Sequence, residues 1–260
     1  MKHLDLFSGI GGFALAARWN GIETVAFCEV DEFCRKVLRK HWPTTPIHGD
    51  VMELDGTEYR GVDLITGGYP CQPFSLAGNR RGTEDDRHLW PEMRRIIEQA
   101  RPAFVIAENV LGHVTMGLDE VLADMEDIGY AARAIIIPAA AVGADHRRDR
   151  VWIIANSKSG GLQRGNKRSS NAQSGRSRIL TEPSGVCGGH IRGWTSKPTL
   201  VRGADGVSCG MDRHRIKSLG NAIVPQVAAE LMRAAISNAL GNRRAAFGAS
   251  ELTDGLAGKT

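Results

Sequence analysis

The 260-residue chain is 42% hydrophobic and 24% charged, with a net charge of only +4, which suits one full α/β domain with room for a small second one. No apolar run approaches the ~20 residues of a membrane helix, and residues 1–7 carry an Asp inside their apolar stretch, so they read as a first strand and not as a secretory leader. Five cysteines, an odd number without C-x-x-C spacing, give neither a disulfide framework nor a structural zinc site, so the expectation is a reducing cytoplasm and no metal.

Residues 3–7 form a short apolar run that ends in the turn Ser8-Gly9-Ile10-Gly11-Gly12, and a helical pattern follows to Trp19. Residues 23–28 read as the second strand, and 31–41 as a helix with Phe33, Val37 and Leu38 on one face. A short strand near Ile47 leads to Asp50 and Val51. Apolar runs at 62–66, 103–107, 134–137 and 151–155 predict further strands, with helices near 86–100 and 117–128. Pro225 suits a first helical turn, after which Val227, Leu231, Ala235 and Ala239 recur at helical spacing. This alternation predicts an α/β fold with a doubly wound, mostly parallel sheet. Its ligand sites are expected at the carboxyl ends of the strands.

The texture changes at Asn156. Residues 1–156 read as the main α/β domain and 157–215 as a small segment rich in Gly, Ser, Asn and Arg. Residues 216–240 read as a helix that returns to complete the main domain, and 241–260 as a frayed tail. Residues 157–219 hold twelve Lys and Arg against three Asp and Glu, so the rest of the chain is mildly acidic. A basic segment beside an acidic body points to a polyanionic partner as readily as to a solvated loop.

Several polar clusters stand just after predicted strands. The spacing Gly9-x-Gly11-Gly12 is a strand-to-helix turn that lets a ligand approach the backbone, but it is not the G-x-G-x-x-G of dinucleotide folds. Glu29 after the second strand and Asp50 after the third are placed to accept from ribose hydroxyls and an adenine amino group. Cys71, flanked by Pro70 and Pro73 in a loop after an apolar strand, has a backbone that cannot continue as strand or helix. A thiol held there, with basic residues nearby, is a candidate nucleophile. Glu108 emerges from the apolar run 104–107, where low polarity would raise its pKa and let it hold a proton. Arg148 and Arg150 precede the last strand and share a side-chain direction if that strand begins early.

Taken together and in order, these residues resemble the DNA cytosine-C5 methyltransferase family over most of residues 4–155 and again over 219–231. The run from Asp5 through Phe7, Gly9, Gly11 and Gly12 is similar to the family's S-adenosylmethionine motif, with Glu29, Asp50 and Val51 at the ribose and adenine. Gly68-Tyr69-Pro70-Cys71-Gln72-Pro73-Phe74-Ser75 matches the nucleophile motif, and Glu108-Asn109-Val110 the motif whose Glu contacts the target base. Leu89 begins a helix that adds a cofactor contact, Arg148 and Arg150 fit a Q-x-R-x-R pattern with His146 at the Gln position, and Gly220-Asn221-Ala222 begins the closing motif, with Asn221 at the cofactor.

The resemblance implies transfer of a methyl group from S-adenosylmethionine to C5 of a cytosine flipped out of double-stranded DNA, through a covalent bond between Cys71 and C6. Cys71, Glu108, Arg148 and Arg150 are the implied catalytic set. It also implies a monomer in the cytoplasm, with residues 72–87 as a closing loop and 157–215 as the target-recognition segment. A restriction nuclease acting independently on the same site is an expected companion. Two alternatives stay open on sequence: the same chemistry on tRNA, and a DNA-binding protein that has kept the fold without catalysis. An amino-methylating enzyme would need an Asp/Asn-Pro-Pro-Tyr/Phe segment, which the sequence lacks.

Overall fold

Seven strands form one sheet: β1 (Lys2–Leu6), β2 (Glu23–Cys28), β3 (Ile47–His48), β4 (Leu64–Gly67), β5 (Phe104–Val110), β6 (Tyr130–Pro138) and β7 (Asp149–Ser157). The computed structural model describes residues 1–70, 89–158 and 217–237. The strand order is β3-β2-β1-β4-β5-β7-β6. All pairings from β3 to β5 are parallel, and β7 runs antiparallel to both of its neighbours. The fold is thus the mostly parallel, doubly wound sheet that the sequence predicts.

Consecutive residues of the central strands pack into different cores. Leu64 and Ile106 join one cluster, Ile65 and Val105 the other, as the two-residue period of a strand covered on both faces requires. One layer holds α3 (Trp90–Ala100) and α4 (Leu118–Asp127), which bury Met93, Ile97 and Met125. The other holds α1 (Gly12–Trp19), which packs Phe13 and Ala17 against Trp152 of β7. A helix at 225–237, here α5, adds Val227, Ala228 and Met232 to that second core. The helix α2 (Glu32–His41) starts where Asp31 accepts from the amides of Phe33 and Cys34.

The structure changes several expected details. The buried residues of α2 are Cys34 and Leu38, while Phe33 and Val37 are half-buried. The helix expected from 86 is described from Trp90, and β5, β6 and β7 are longer than their apolar runs. Their extra residues are polar or stand at sheet ends, where pairing and not hydrophobicity extends the strand. The loop 72–87, the segment 159–215 and the tail beyond 237 lie outside the described residues. No helix among the described residues is long and apolar enough to cross a membrane.

A buried polar chain crosses the centre of the sheet. Thr66 Oγ1 donates to Asp5 Oδ1 at 2.7 Å and lies 2.7 Å from His3 Nε2, whose Nδ1 is 3.0 Å from Thr24 Oγ1. With its proton committed to Asp5, Thr66 accepts from Nε2, which leaves Nδ1 to accept from Thr24. Burial keeps His3 neutral, with its pKa pushed down to about 3, and raises that of Asp5 well above the usual carboxylate range. The chain pins β1 between β2 and β4, where the strand order reverses. In open α/β sheets that reversal opens the crevice for a ligand.

Candidate active site

The loops after β1 and β4 leave the sheet side by side at this reversal. The first turns through Phe7, Gly9 and Gly11, all with positive φ (51°, 55° and 88°). That conformation suits glycine, and Phe7 holds it while packing on the first core. Gly12 is needed for a different reason: a Cβ there would lie 2.7 Å from Cγ1 of Ile223, so the segment before α5 can close on α1 only over a bare backbone.

Glu29 stands directly after β2 and is 9% exposed. Its Oε2 accepts from the Gly9 amide at 2.6 Å and its Oε1 from the Asp31 amide at 2.8 Å. Burial raises its pKa, and these two amides pull it back. Asp50 follows β3 and accepts from the Met52 amide at 2.9 Å, while Val51 between them is buried. Leu89 precedes α3 and packs on the same core as Phe7.

On the other side, Glu108 lies near the end of β5 and is 8% exposed. It pairs with Trp152 in the register of β5 against β7, and Arg150 is the diagonal neighbour on the same face. Arg150 Nε reaches Glu108 Oε1 at 3.0 Å. Burial raises the Glu108 pKa against the opposing pull of Arg150 and Arg148. The strand does not begin early enough to hold both arginines: β7 begins at Asp149, and Arg148, with φ 35°, stands outside it. Arg148 Nη2 instead donates to the carbonyls of Gly220 and Ala222 at 2.8 and 2.6 Å, tying the segment before α5 to the start of β7.

A cavity of about 50 Å³ joins the two sides, lined by Phe7, Gly9, Gly12, Gly68, Glu108 and Asn221 among others. A Cβ on Gly68 would sit 3.7 Å from Glu108 Oε2, so the strand exit that leads to Cys71 passes beside the carboxylate. Cys71 itself lies outside the described residues. Among the described residues, no group of three or more His, Cys, Asp and Glu could hold a metal.

Residues 1–185 match the family profile of C-5 cytosine-specific DNA methylases. The chain belongs to that family. Its relatives include the Type II methyltransferase M.CviJI of Paramecium bursaria Chlorella virus IL3A, 36% identical over 159 residues, 59% of this chain and 42% of that one. The Type II methyltransferase M.HgiBI of Herpetosiphon aurantiacus is 33% identical over 159 residues, 59% of this chain and 36% of that one. The chain therefore spans well under half the length of these two relatives. Among solved structures, a putative DNA modification methyltransferase encoded within an Escherichia coli prophage is similar at a TM-score of 0.52 and 27% identity, covering 61% of this chain and 47% of that one. Spodoptera frugiperda DNMT2 shares the fold at a TM-score of 0.57 and 24% identity, over 72% of this chain and 56% of that one.

Two exposed apolar residues flank the acids and were not singled out in the sequence. Val30 and Met52 are 74% and 64% exposed, and they stand next to Glu29 and two residues after Asp50.

Proposed function

We propose that the chain transfers a methyl group from S-adenosylmethionine to C5 of a cytosine flipped out of double-stranded DNA. The observation that carries this reading is a cavity with the glycine turn on one wall and the buried Glu108 on the other. It fits a reaction that brings a nucleoside cofactor and a pyrimidine edge together.

The residues present fit the cofactor. Each oxygen of Glu29 has a lone pair beyond the amide it already accepts from, which suits the ribose hydroxyls. Asp50 suits the adenine amino group, and Val30 and Met52 offer apolar contact to the ring faces. Phe7, Gly9, Gly11 and Gly12 of the turn, with Val51, Leu89 and Asn221, would complete the residues that hold the cofactor. When bound, S-adenosylmethionine supplies the methyl group as an electrophile on sulfur.

Cytosine C5 is a weak nucleophile, and this chain's residues answer that. Cys71, as thiolate, adds to C6, and the electron pair of the C5–C6 bond moves into the ring. Glu108 holds a proton at N3 and accepts from the exocyclic amino group, which stabilises the electron-rich ring. Arg150, which pairs with Glu108, would interact with the base carbonyl oxygen. Arg148 acts from further away, by fixing the segment around Asn221. After C5 is methylated, loss of its proton and departure of the Cys71 sulfur from C6 restore the aromatic ring. Base flipping costs a few kcal/mol, and we assign the phosphate and base contacts that offset it to the basic segment 157–215.

The test uses the full chain, radiolabelled S-adenosylmethionine and three substrates: duplex DNA, tRNA and poly(dA)·poly(dT). Label in duplex DNA, mapped to cytosines by bisulfite sequencing, is the expected result. Label in tRNA alone would overturn the DNA reading, and label in none would overturn the enzymatic one.

A further inference from the structure

Two buried side chains beside the site have no part in this chemistry. Tyr69 and His113 are each 3% exposed. Tyr69 stands two residues after β4 and two before Cys71. His113 lies in the 3-10 turn Leu111–Thr115, which continues directly from β5. The Tyr69 hydroxyl and His113 Nε2 are 2.7 Å apart, with the rings nearly perpendicular.

The same tyrosine is held at its main chain. Asn109 Nδ2 donates to the Tyr69 carbonyl at 3.1 Å. Its ring also lies against Trp90 of α3 at 5.2 Å between centroids, and Trp90 Nε1 donates to Asp124 of α4 at 2.7 Å. Both oxygens of Tyr69 are therefore bonded by residues that follow Glu108 by one and five positions. The carbonyl bond sets the peptide plane that leads into Pro70, and the phenol bond sets the ring torsions. Pro70 then fixes the next φ. A chain of constraints runs from the carboxylate to the doorstep of the nucleophile.

An apolar pair would fill this space with no polar group to satisfy, and would cost little stability. A hydrogen bond adds what an apolar contact lacks, namely a set distance and direction. Satisfied buried networks of this kind rigidify and specify a geometry. We propose that Tyr69 and His113 are a positioning pair, which fixes the lead-in to Cys71 relative to Glu108 so that both address one pyrimidine ring. This role rests on the reading of the site given under Proposed function.

The test compares Tyr69→Phe, which removes only the hydroxyl, with His113→Leu and His113→Gln. A Gln amide can reach where Nε2 stands and bond the phenol. Because small misplacements of reacting groups cost large factors in rate, the maximal rate of methyl transfer should fall about tenfold in Tyr69→Phe and His113→Leu. KM for S-adenosylmethionine and for DNA should stay within about twofold, as for a loss confined to the chemical step. His113→Gln should recover most of the rate. Near-UV circular dichroism reports whether each variant is folded; if His113→Leu is not, the decision falls to Tyr69→Phe and His113→Gln. An unchanged rate in Tyr69→Phe overturns the role, and so does a loss that His113→Gln fails to recover or that appears in KM. An active wild-type chain with unaffected variants overturns this role alone, whereas an inactive wild-type chain overturns the reading of the site and this role with it.

Discussion

Glu29 and Glu108 invite comparison, because both are buried carboxylates at strand ends of one sheet, and burial raises the pKa of each. Their partners differ in kind. Glu29 accepts from two main-chain amides, which are neutral and fixed to the turn it serves. Glu108 faces the guanidinium of Arg150, a charge on a side chain that can turn. Amide partners orient a carboxylate and leave it an acceptor for further hydroxyl donors. A cationic partner makes the proton affinity of its carboxylate depend on what else that cation touches. If a pyrimidine carbonyl draws Arg150 away, Glu108 loses its main opposing charge and holds a proton more firmly. In the function proposed above, the cofactor side is thus the one that binds, and the base side the one that changes its protonation when the substrate arrives.

That contrast can be broken most severely at Glu108. Glu108→Gln keeps the shape but cannot hold the N3 proton in the same way. Turnover should fall on the order of 10²–10⁴-fold, the range for a lost acid–base group. Cofactor affinity, measured by calorimetry, should be unchanged. An equal loss in cofactor affinity would erase the distinction between the two sides.

The reverse pattern is expected at Glu29. Hydrogen bonds to a charged group are worth about 1.5–3 kcal/mol, so Glu29→Ala should weaken the cofactor Kd by roughly 10–100-fold. Turnover at saturating cofactor should change far less. A turnover loss as large as that of Glu108→Gln would show that Glu29 does more than bind.

The smallest effect sharpens the electrostatic half of the comparison. A carboxyl whose folded pKa is raised contributes stability that is full below its unfolded pKa and is lost as pH rises through the folded value. Glu108→Gln removes that loss. The thermal midpoint of the variant relative to the wild type should therefore increase from acidic to mildly alkaline pH. A difference independent of pH would contradict a raised pKa at Glu108.

Much of this arrangement was legible in the sequence because it is local. The strand ends that carry Phe7, Glu29, Asp50 and Glu108 follow from short apolar runs, and a parallel sheet brings such ends to one edge. The partners of these residues were not legible. The pairing of Glu108 with Arg150 depends on the antiparallel register of β7, and period-two patterning gives the face of a residue but not its neighbour across the sheet. The bonds from Arg148 to Gly220 and Ala222 span more than 70 residues of sequence. They also need the left-handed backbone at Arg148, which no local pattern announces. Tyr69 and His113, 44 positions apart in sequence, meet only because the turn after β5 brings them together.

In the function proposed above, the sulfur of Cys71 attacks cytosine. Duplex DNA containing 5-fluorocytosine tests it directly, because fluorine at C5 blocks the proton loss that would release the sulfur. With S-adenosylmethionine present, the wild-type chain should form an adduct with this DNA that survives denaturing electrophoresis, and Cys71→Ala should bind the cofactor but form none. Methylation of ordinary duplex DNA by Cys71→Ala at the wild-type rate would contradict the account.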